Sequence, residues 1–250
     1  QEVMGRSGDV VWESPFGTTM PAYFAMYANA HMSKYGTTEE NLAEVAVKNY
    51  HYGARNPKAM FQKEITLSEV LTSRPIASPL KRYDCCANSD GAACLILASD
   101  KVARKISDTP VWVAGLGLGS SPMSLTGRSL PLTSFSCAVE AAKQAYRMAK
   151  IESKDVDVAE VHDCFTITEI INYEDLGFAK RGEGGKLVSD GHTYVGGKIP
   201  VNVDGGLLAK GHPVGATGAS QIRTIVQQLR GEAGQTQVAG AKIGLAHNLG

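Results

Sequence analysis

Residues 155–177 read "DVDVAEVHDCFTITEIINYEDLG". Apolar and polar side chains alternate as far as Val161, the period of a half-buried strand, and the pattern then changes to that of a helix over "TITEIINYEDLG". Thr166 with Glu169 three residues later has the spacing of a capping box, which predicts the helix start. A strand running straight into a helix is the building unit of α/β architecture, and the turn between them carries His162, Asp163, Cys164 and Phe165.

The alternation continues on both sides. "CAVEAAKQAYRMAK" (137–150) is an alanine-rich helix, and "ASQIRTIVQQLRG" (219–231) is another, with Ile222, Ile225, Val226 and Leu229 on one face. "AKIGLAHNLG" (241–250) is a closing strand. Upstream, "DCCANSDGAACLILASDKVARK" (84–105) reads as a small-residue loop, a buried strand over 92–98 and a helix starting at Ser99 and Asp100; "TPVWVAGLGLGSS" (109–121) supplies a second strand. Residues 15–83 form a helical subdomain. There Thr37 and Glu40 predict a capping box, opening a helix with Leu42, Val45 and Ala46 inward that ends near Gly53. Thr66 and Glu69 repeat the device, and Pro75 stops that second helix. No internal repeat or low-complexity tract interrupts the chain.

With 250 residues the chain can bury a substantial core as one large domain or two modest ones. Lys plus Arg and Asp plus Glu number 25 each, so no global field recruits nucleic acid or an anionic membrane. No run of about 18 apolar residues supports membrane insertion. The amino end, "QEVMGRSGDVVWESPFG", lacks the basic head and apolar stretch of a signal peptide, although it opens on Gln rather than Met. Cys85, Cys86, Cys94, Cys137 and Cys164 make an odd count without CxxC pairs, which points to a reducing, cytoplasmic setting.

Cys164 immediately precedes a helix start, where the positive end of the helix dipole would lower its pKa and favour thiolate; the other reading is a buried cysteine packing as a small hydrophobe. In "VNVDGGLLAKGHPVGATGAS" (201–220), Gly205, Gly206, Gly211, Gly215 and Gly218 permit close backbone approach around His212, and Pro213 stiffens the loop. Such a loop suits a reacting imidazole, a phosphate cradle or a purely structural turn, and it matches no nucleotide-binding fingerprint. His162, Cys164, His212 and His247 are types that ligate metals, but in no diagnostic spacing. His31, His51 and His192 read as surface or satisfied residues.

Together, "DCCANSDGAA" (84–93), "HDCF" (162–165), "GHPVGATG" (211–218) and "LRGEAG…GAKIGLAHNLG" (229–250) resemble the thiolase superfamily, in its sterol-carrier-protein-type branch with archaeal and bacterial acetoacetyl-CoA thiolases. The resemblance runs from about Thr18 to Gly250. It implies a five-layer αβαβα fold with a helical loop region, present in part. Residues 1–83 would be the loop region of the amino-terminal half, 84–108 the end of that half, and 109–250 the carboxy-terminal half. The family's nucleophilic cysteine would lie upstream of residue 1, and a last strand beyond residue 250.

The implied activity is a CoA-dependent acyltransferase of lipid metabolism, forming or cleaving a 3-oxoacyl-CoA through an acyl-cysteine. His212 would activate the nucleophile and donate to the oxyanion. His162 would stand where many thiolases hold an oxyanion water with asparagine. Cys164 would replace the acid/base cysteine of the family's CxG motif, absent from "HNLG". Cys85 and Cys86 would line the pantetheine groove, Cys86 as a substrate contact. No metal or covalently bound cofactor is implied, CoA being a substrate. Implied partners are copies of the chain in a dimer or tetramer, a small OB-fold protein and a hydroxymethylglutaryl-CoA synthase. The competing implications are an aldolase-type relative acting on steroid CoA thioesters, whose tyrosine replaces the HDCF histidine, and a non-catalytic acyl-CoA-binding scaffold.

Overall fold

A computed structural model describes residues 9–122, 124–125 and 131–249. The start of the amino-terminal stretch read above, and the Gly250 that closes "HNLG", lie outside the described residues. Three helices open the fold: α1 (Met20–Tyr35), α2 (Glu39–Gly53) and the short α3 (Leu67–Leu71). A two-stranded antiparallel ribbon follows, β1 (Pro75–Ala77) with β2 (Leu80–Lys81), then α4 (Asp100–Ile106) and α5 (Ser136–Ala149). The carboxy-terminal part runs β3 (Val158–Glu160), α6 (Thr166–Asp175), α7 (Gly184–Ser189), α8 (Thr217–Arg230) and β4 (Gly244–Ala246).

Helix α2 is capped one residue later than the sequence predicts. Thr38 accepts from the Asn41 N–H while the Asn41 side chain accepts from the Thr38 N–H. Thr37 is buried instead, its hydroxyl 2.7 Å from His31 Nδ1, so it is not free to cap. The Thr66–Glu69 box stands as expected, and α2 does end at Gly53.

At the centre, β3 pairs in parallel with β4, Val158 opposite Gly244 and Glu160 opposite Ala246. On its other side Ala159 bridges Val201, its N–H donating to the Pro200 carbonyl and its carbonyl accepting from the Asn202 N–H. Three parallel segments therefore lie side by side. Helix α6 is buried along its whole length, and Ile167, Ile170, Ile171 and Tyr173 join Val161, Phe165, Leu207 and Leu208 in the main core.

Two sequence expectations fail upstream. Segments 92–98 and 111–119 form neither helix nor strand, among the described residues neither enters a ladder, and Ile96 and Leu97 are 86% and 84% exposed rather than buried. Apolar β-prone sequence becomes a strand only when a neighbouring backbone takes up its N–H and C=O groups. The alternate glycines of "GLGLG" have their own explanation. A Cβ on Gly115, Gly117 or Gly119 would fall 2.3, 1.8 or 2.0 Å from the carbonyl oxygens of Ala145, Ala141 and Cys137 in α5. Two extended residues advance about 6.6 Å and four helical residues about 6 Å, so every second glycine meets every fourth helix residue.

The inward face of α8 also differs from expectation. Ile225 is buried, but Ile222 is exposed, and the buried partners are Thr217, Gln221, Thr224 and Gln228. These polar groups are used: Gln221 donates to the His247 carbonyl at 3.0 Å, and Gln228 donates to the Thr236 carbonyl at 2.8 Å. The helix pins β4 and the loop before it through hydrogen bonds, a pattern that apolar periodicity does not register.

Candidate active site

The three central parallel segments all end at one place, where helix starts and loops converge. β3 leads through Val161 to His162, the 201 segment leads through a π-helical turn (Gly206–Lys210) to His212, and β4 leads to His247 and Asn248. The rings of His162 and His212, fifty residues apart in sequence, meet edge to face with centroids 5.2 Å apart and planes at 88°.

Hydrogen bonds fix the tautomer of both imidazoles. Asn248 Oδ1 lies 2.9 Å from His162 Nδ1 and can only accept, so that nitrogen carries the proton. The Thr217 hydroxyl donates to the Pro213 carbonyl at 3.1 Å, leaving its oxygen to accept from His212 Nδ1–H at 2.7 Å. Each ring therefore keeps the lone pair of Nε2 for other work. Burial holds the His162 pKa down to about 4, the nearby His212 adding to the effect and the Asn248 bond opposing it. His212 is also lowered, by burial first and by the Lys210 ammonium second. His247 is held down to about 3 by burial and by His162. All three rings are neutral, proton-accepting bases at ordinary pH.

Asp163 is structural in this geometry. It accepts from the Leu207 N–H at 2.7 Å through one oxygen, and from the Leu208 N–H and Asn49 Nδ2 through the other. A Cβ on Gly206 would lie 2.2 Å from Asp163 Oδ2, so only glycine lets the turn close on this carboxyl. Burial and the nearby Glu169 carboxylate push the Asp163 pKa up to about 8. Glu169 does not cap α6: Phe165 occupies the cap position, and the Thr166 hydroxyl donates to Asp84. Instead Glu169 is fully buried, holding the Lys48 ammonium, the Tyr173 hydroxyl, Asn49 at 2.8 Å and Asn202 at 2.7 Å. This network locks α2 and the 201 segment to α6, the helix that begins just after the HDCF turn.

Of the two readings of Cys164, the structure matches the buried, packed cysteine and not the thiolate. It belongs to the main core, its Sγ 3.7 Å from Thr168 Oγ1, and burial together with Cys86 and Asp163 pushes its pKa well above the ordinary thiol value. Desolvation of a full charge outweighs the partial charge of a helix end. The 84–90 segment threads between the two motifs: the Cys86 N–H donates to the Cys164 carbonyl at 2.9 Å, and Asn88 bridges His212. Burial pushes the Cys85 and Cys86 thiols up to about 12 each, with neighbouring acidic groups adding to the shift. A groove of about 940 Å³ runs beside the loop, bounded by Asn88, Gly211, Pro213, Lys58 and Arg223.

Residue patterns had missed Thr217 and Asn248, which set the two tautomers, and Lys48 and Asn49, which brace the motif. Thr217 is a hydroxyl at a helix start five residues beyond a histidine, a signal that was present in the sequence. Lys48 and Asn49 carry no local signal. Among the described residues no three His, Cys, Asp or Glu side chains gather as metal ligands, and no helix is long and apolar enough to cross a membrane. His31 is the satisfied residue of the two readings, buried with Nδ1 2.7 Å from Thr37 and Nε2 3.2 Å from Glu174.

Residues 120–250 match the family model described as "Thiolase C-terminal domain-like". The chain belongs to the thiolase family. It is 47% identical over 247 residues to an acetyl-CoA acetyltransferase of Methanothermobacter thermautotrophicus, covering 99% of this chain and 64% of that protein. It is 44% identical over 234 residues to sterol carrier protein 2 of Bos taurus, covering 92% of this chain and 43% of the relative. Among solved structures it is similar to the Ltp2-ChsH2(DUF35) aldolase, with a TM-score of 0.85 and 31% identity over 94% of this chain and 62% of that one. The chain thus spans between two fifths and two thirds of the length of these relatives. The fold is a thiolase-like α/β fold.

Proposed function

We propose that these 250 residues supply the thiolase machinery for carbon–carbon bond formation or cleavage in a CoA-dependent acyltransferase, a neighbouring segment of the same polypeptide bringing the nucleophilic cysteine. The observation that carries this reading is the His162–His212 pair, with each Nδ1 proton spoken for and each Nε2 lone pair retained. His212 Nε2 takes the proton from the nucleophilic thiol. The thiolate attacks the thioester carbonyl, and the departing CoA thiolate recovers that proton from His212. With Nε2 protonated, an imidazole also becomes a donor to the thioester oxygen as negative charge builds there.

Cys164 is the acid/base at the α-carbon. Its burial favours the thiol, which suits the cleavage direction: the α-carbanion of the departing acetyl-CoA takes the Cys164 proton, and the thiolate is reprotonated before the next turnover. In condensation the steps run in reverse: the thiol first gives up its proton to solvent, and the thiolate then removes the α-proton. Cys86, adjacent through its backbone bond to Cys164, lines the pantetheine path; its raised pKa supports a lining role over a nucleophilic one. In this reading residues 1–83 are the loop region of the first thiolase half, 84–108 its end and 109–250 the second half. The protein assembles as a dimer or tetramer and acts with a small OB-fold protein and a hydroxymethylglutaryl-CoA synthase.

The test is to incubate the full-length polypeptide with acetoacetyl-CoA and CoA and to map acylated cysteines by peptide mass spectrometry. Acylation of a cysteine outside these 250 residues supports the reading; acylation of Cys85 or Cys86 overturns it. With acetyl-CoA as the acyl donor, acyl-enzyme formation persists in Cys164→Ala while carbon–carbon bond formation and acetoacetyl-CoA cleavage are lost, and equal loss of all three refutes the assigned role. The likeness to an aldolase structure favours a second reading, cleavage of a CoA thioester without acyl transfer. Turnover that does not depend on free CoA would establish it, and His162 in place of tyrosine argues against it.

A further inference from the structure

Behind the two imidazoles lies a charged cluster that the chemistry above does not use. Asp204, 6% exposed, accepts from the Gly206 N–H at 2.9 Å through Oδ1, and through Oδ2 from Thr224 of α8 at 2.6 Å and from the Lys210 ammonium. One carboxylate therefore ties together the first and last residues of the π-helical turn and the helix beyond it. Glu160 lies beneath at zero exposure, and neither of its oxygens receives an N–H or O–H from any described residue. A carboxylate in that position would be uncompensated, so Glu160 holds its proton and donates it to Asp204, an arrangement that burial and the Asp204 charge both enforce.

The placement of these three residues matters more than their charge. Glu160 is two residues before His162 in β3, and its carbonyl accepts from the His247 N–H at 2.8 Å. Lys210 is two residues before His212, and its own carbonyl accepts from the Met60 N–H at 3.0 Å. We infer that Glu160, Asp204 and Lys210 form a positioning unit that couples the strand carrying His162 to the loop carrying His212 and so sets the spacing of the two rings. The inference rests on the reading of those rings as the reacting groups.

The groups facing His212 are Lys210 from its own loop, His162 from the end of β3, and the neutral Thr217 and Asn88; Asp163, Glu160 and Asp204 stand behind them. Lys210→Met removes the cation and the tether while keeping the length of the side chain. In the full-length enzyme, kcat falls about tenfold or more with KM changed less than about twofold. The acidic limb of the kcat/KM profile moves to higher pH, because loss of a neighbouring cation raises the His212 pKa. Lys210→Arg restores most of kcat, and Glu160→Gln, which keeps a donor toward Asp204, retains more kcat than Glu160→Met. Should Lys210→Met fail to fold, Thr224→Val removes one bond to Asp204 and is read by the same kcat and KM split.

A folded Lys210→Met enzyme with unmoved kcat and pH profile overturns the inference, as does a kcat loss that follows thermal stability alone with the profile fixed. With Thr224→Val as the readout, unchanged kcat overturns it. His212→Gln separates the two levels of the argument. Full acyl transfer in His212→Gln refutes the role of the ring itself, whereas abolished transfer combined with a silent Lys210→Met refutes only the positioning unit.

Discussion

Thr217 Oγ1 accepts from His212 Nδ1 at 2.7 Å while donating its own proton to the Pro213 carbonyl, so the hydroxyl that starts α8 dictates which nitrogen of the ring is basic. Thr217→Val keeps the shape and removes the acceptor. Either tautomer then becomes available, and kcat/KM falls about tenfold, equivalent to about 1.4 kcal/mol of transition-state stabilisation. Thr217→Ser keeps the oxygen and stays within about threefold of the parent. Steady-state kinetics of the two variants in the full-length enzyme decide the matter, and equal rates for Val and Ser contradict it.

The buried Lys48–Glu169 pair predicts an asymmetry between single and double substitutions. Both side chains have zero exposure, so Lys48→Met leaves Glu169 as an uncompensated charge and destabilises the fold by about 3–5 kcal/mol. Glu169→Gln in the same background recovers part of the loss, because the orphaned charge is then removed. Urea denaturation of parent, singles and double gives the coupling; additive losses contradict a mutually compensating pair.

His162 makes a pH prediction with a definite sign. Its folded pKa of about 4 lies below the ordinary value of 6.5, so between those values the unfolded chain binds the extra proton. The contribution of the neutral ring to stability is fully present above about pH 6.5 and is lost as pH falls through about 4. His162→Gln removes this one titration. Denaturation midpoints measured from pH 7 to pH 4 fall less steeply in the variant than in the parent, and parallel slopes contradict the buried neutral ring.

Gly206→Ala tests the closure of the turn on Asp163. With φ at 57° the backbone itself costs a new methyl about 1 kcal/mol, and a Cβ 2.2 Å from Asp163 Oδ2 must also displace a carboxyl that holds Leu207, Leu208 and Asn49. The expected loss in stability is about 2–4 kcal/mol, with activity reduced because the His212 loop follows this turn. By contrast, Gly215→Ala meets nothing within 4 Å and lacks a positive φ, so it is expected to be neutral within about 0.5 kcal/mol. Thermal melting of the two variants side by side is sufficient.

Elements whose signal lies in neighbouring residues were legible before any coordinates. The strand at 158–160 leading into α6, the helices α5 and α8, and the Thr66 box stand where period and capping chemistry put them. Local reading failed where a side chain was claimed by a partner outside its capping box. Thr37 was taken by His31, and Glu169 by Lys48, Asn49 and Asn202, so neither predicted box formed. Segment 92–98 has the composition of a strand, but a ladder needs a partner, and composition does not supply one.

The sequence by itself therefore determined the strand–helix succession of β3 and α6, the helices α5 and α8, the glycine-rich approach to His212, and the family, since four ordered motifs depend only on residue identity. The tertiary structure decided that the rings of His162 and His212 touch, which nitrogen of each is basic, and that Cys164 is a thiol rather than a thiolate. The reason is physical. Helix and strand preferences arise from a residue and its neighbours within a turn or two, whereas ionisation and tautomer depend on desolvation and on partners that only packing brings within a few ångströms.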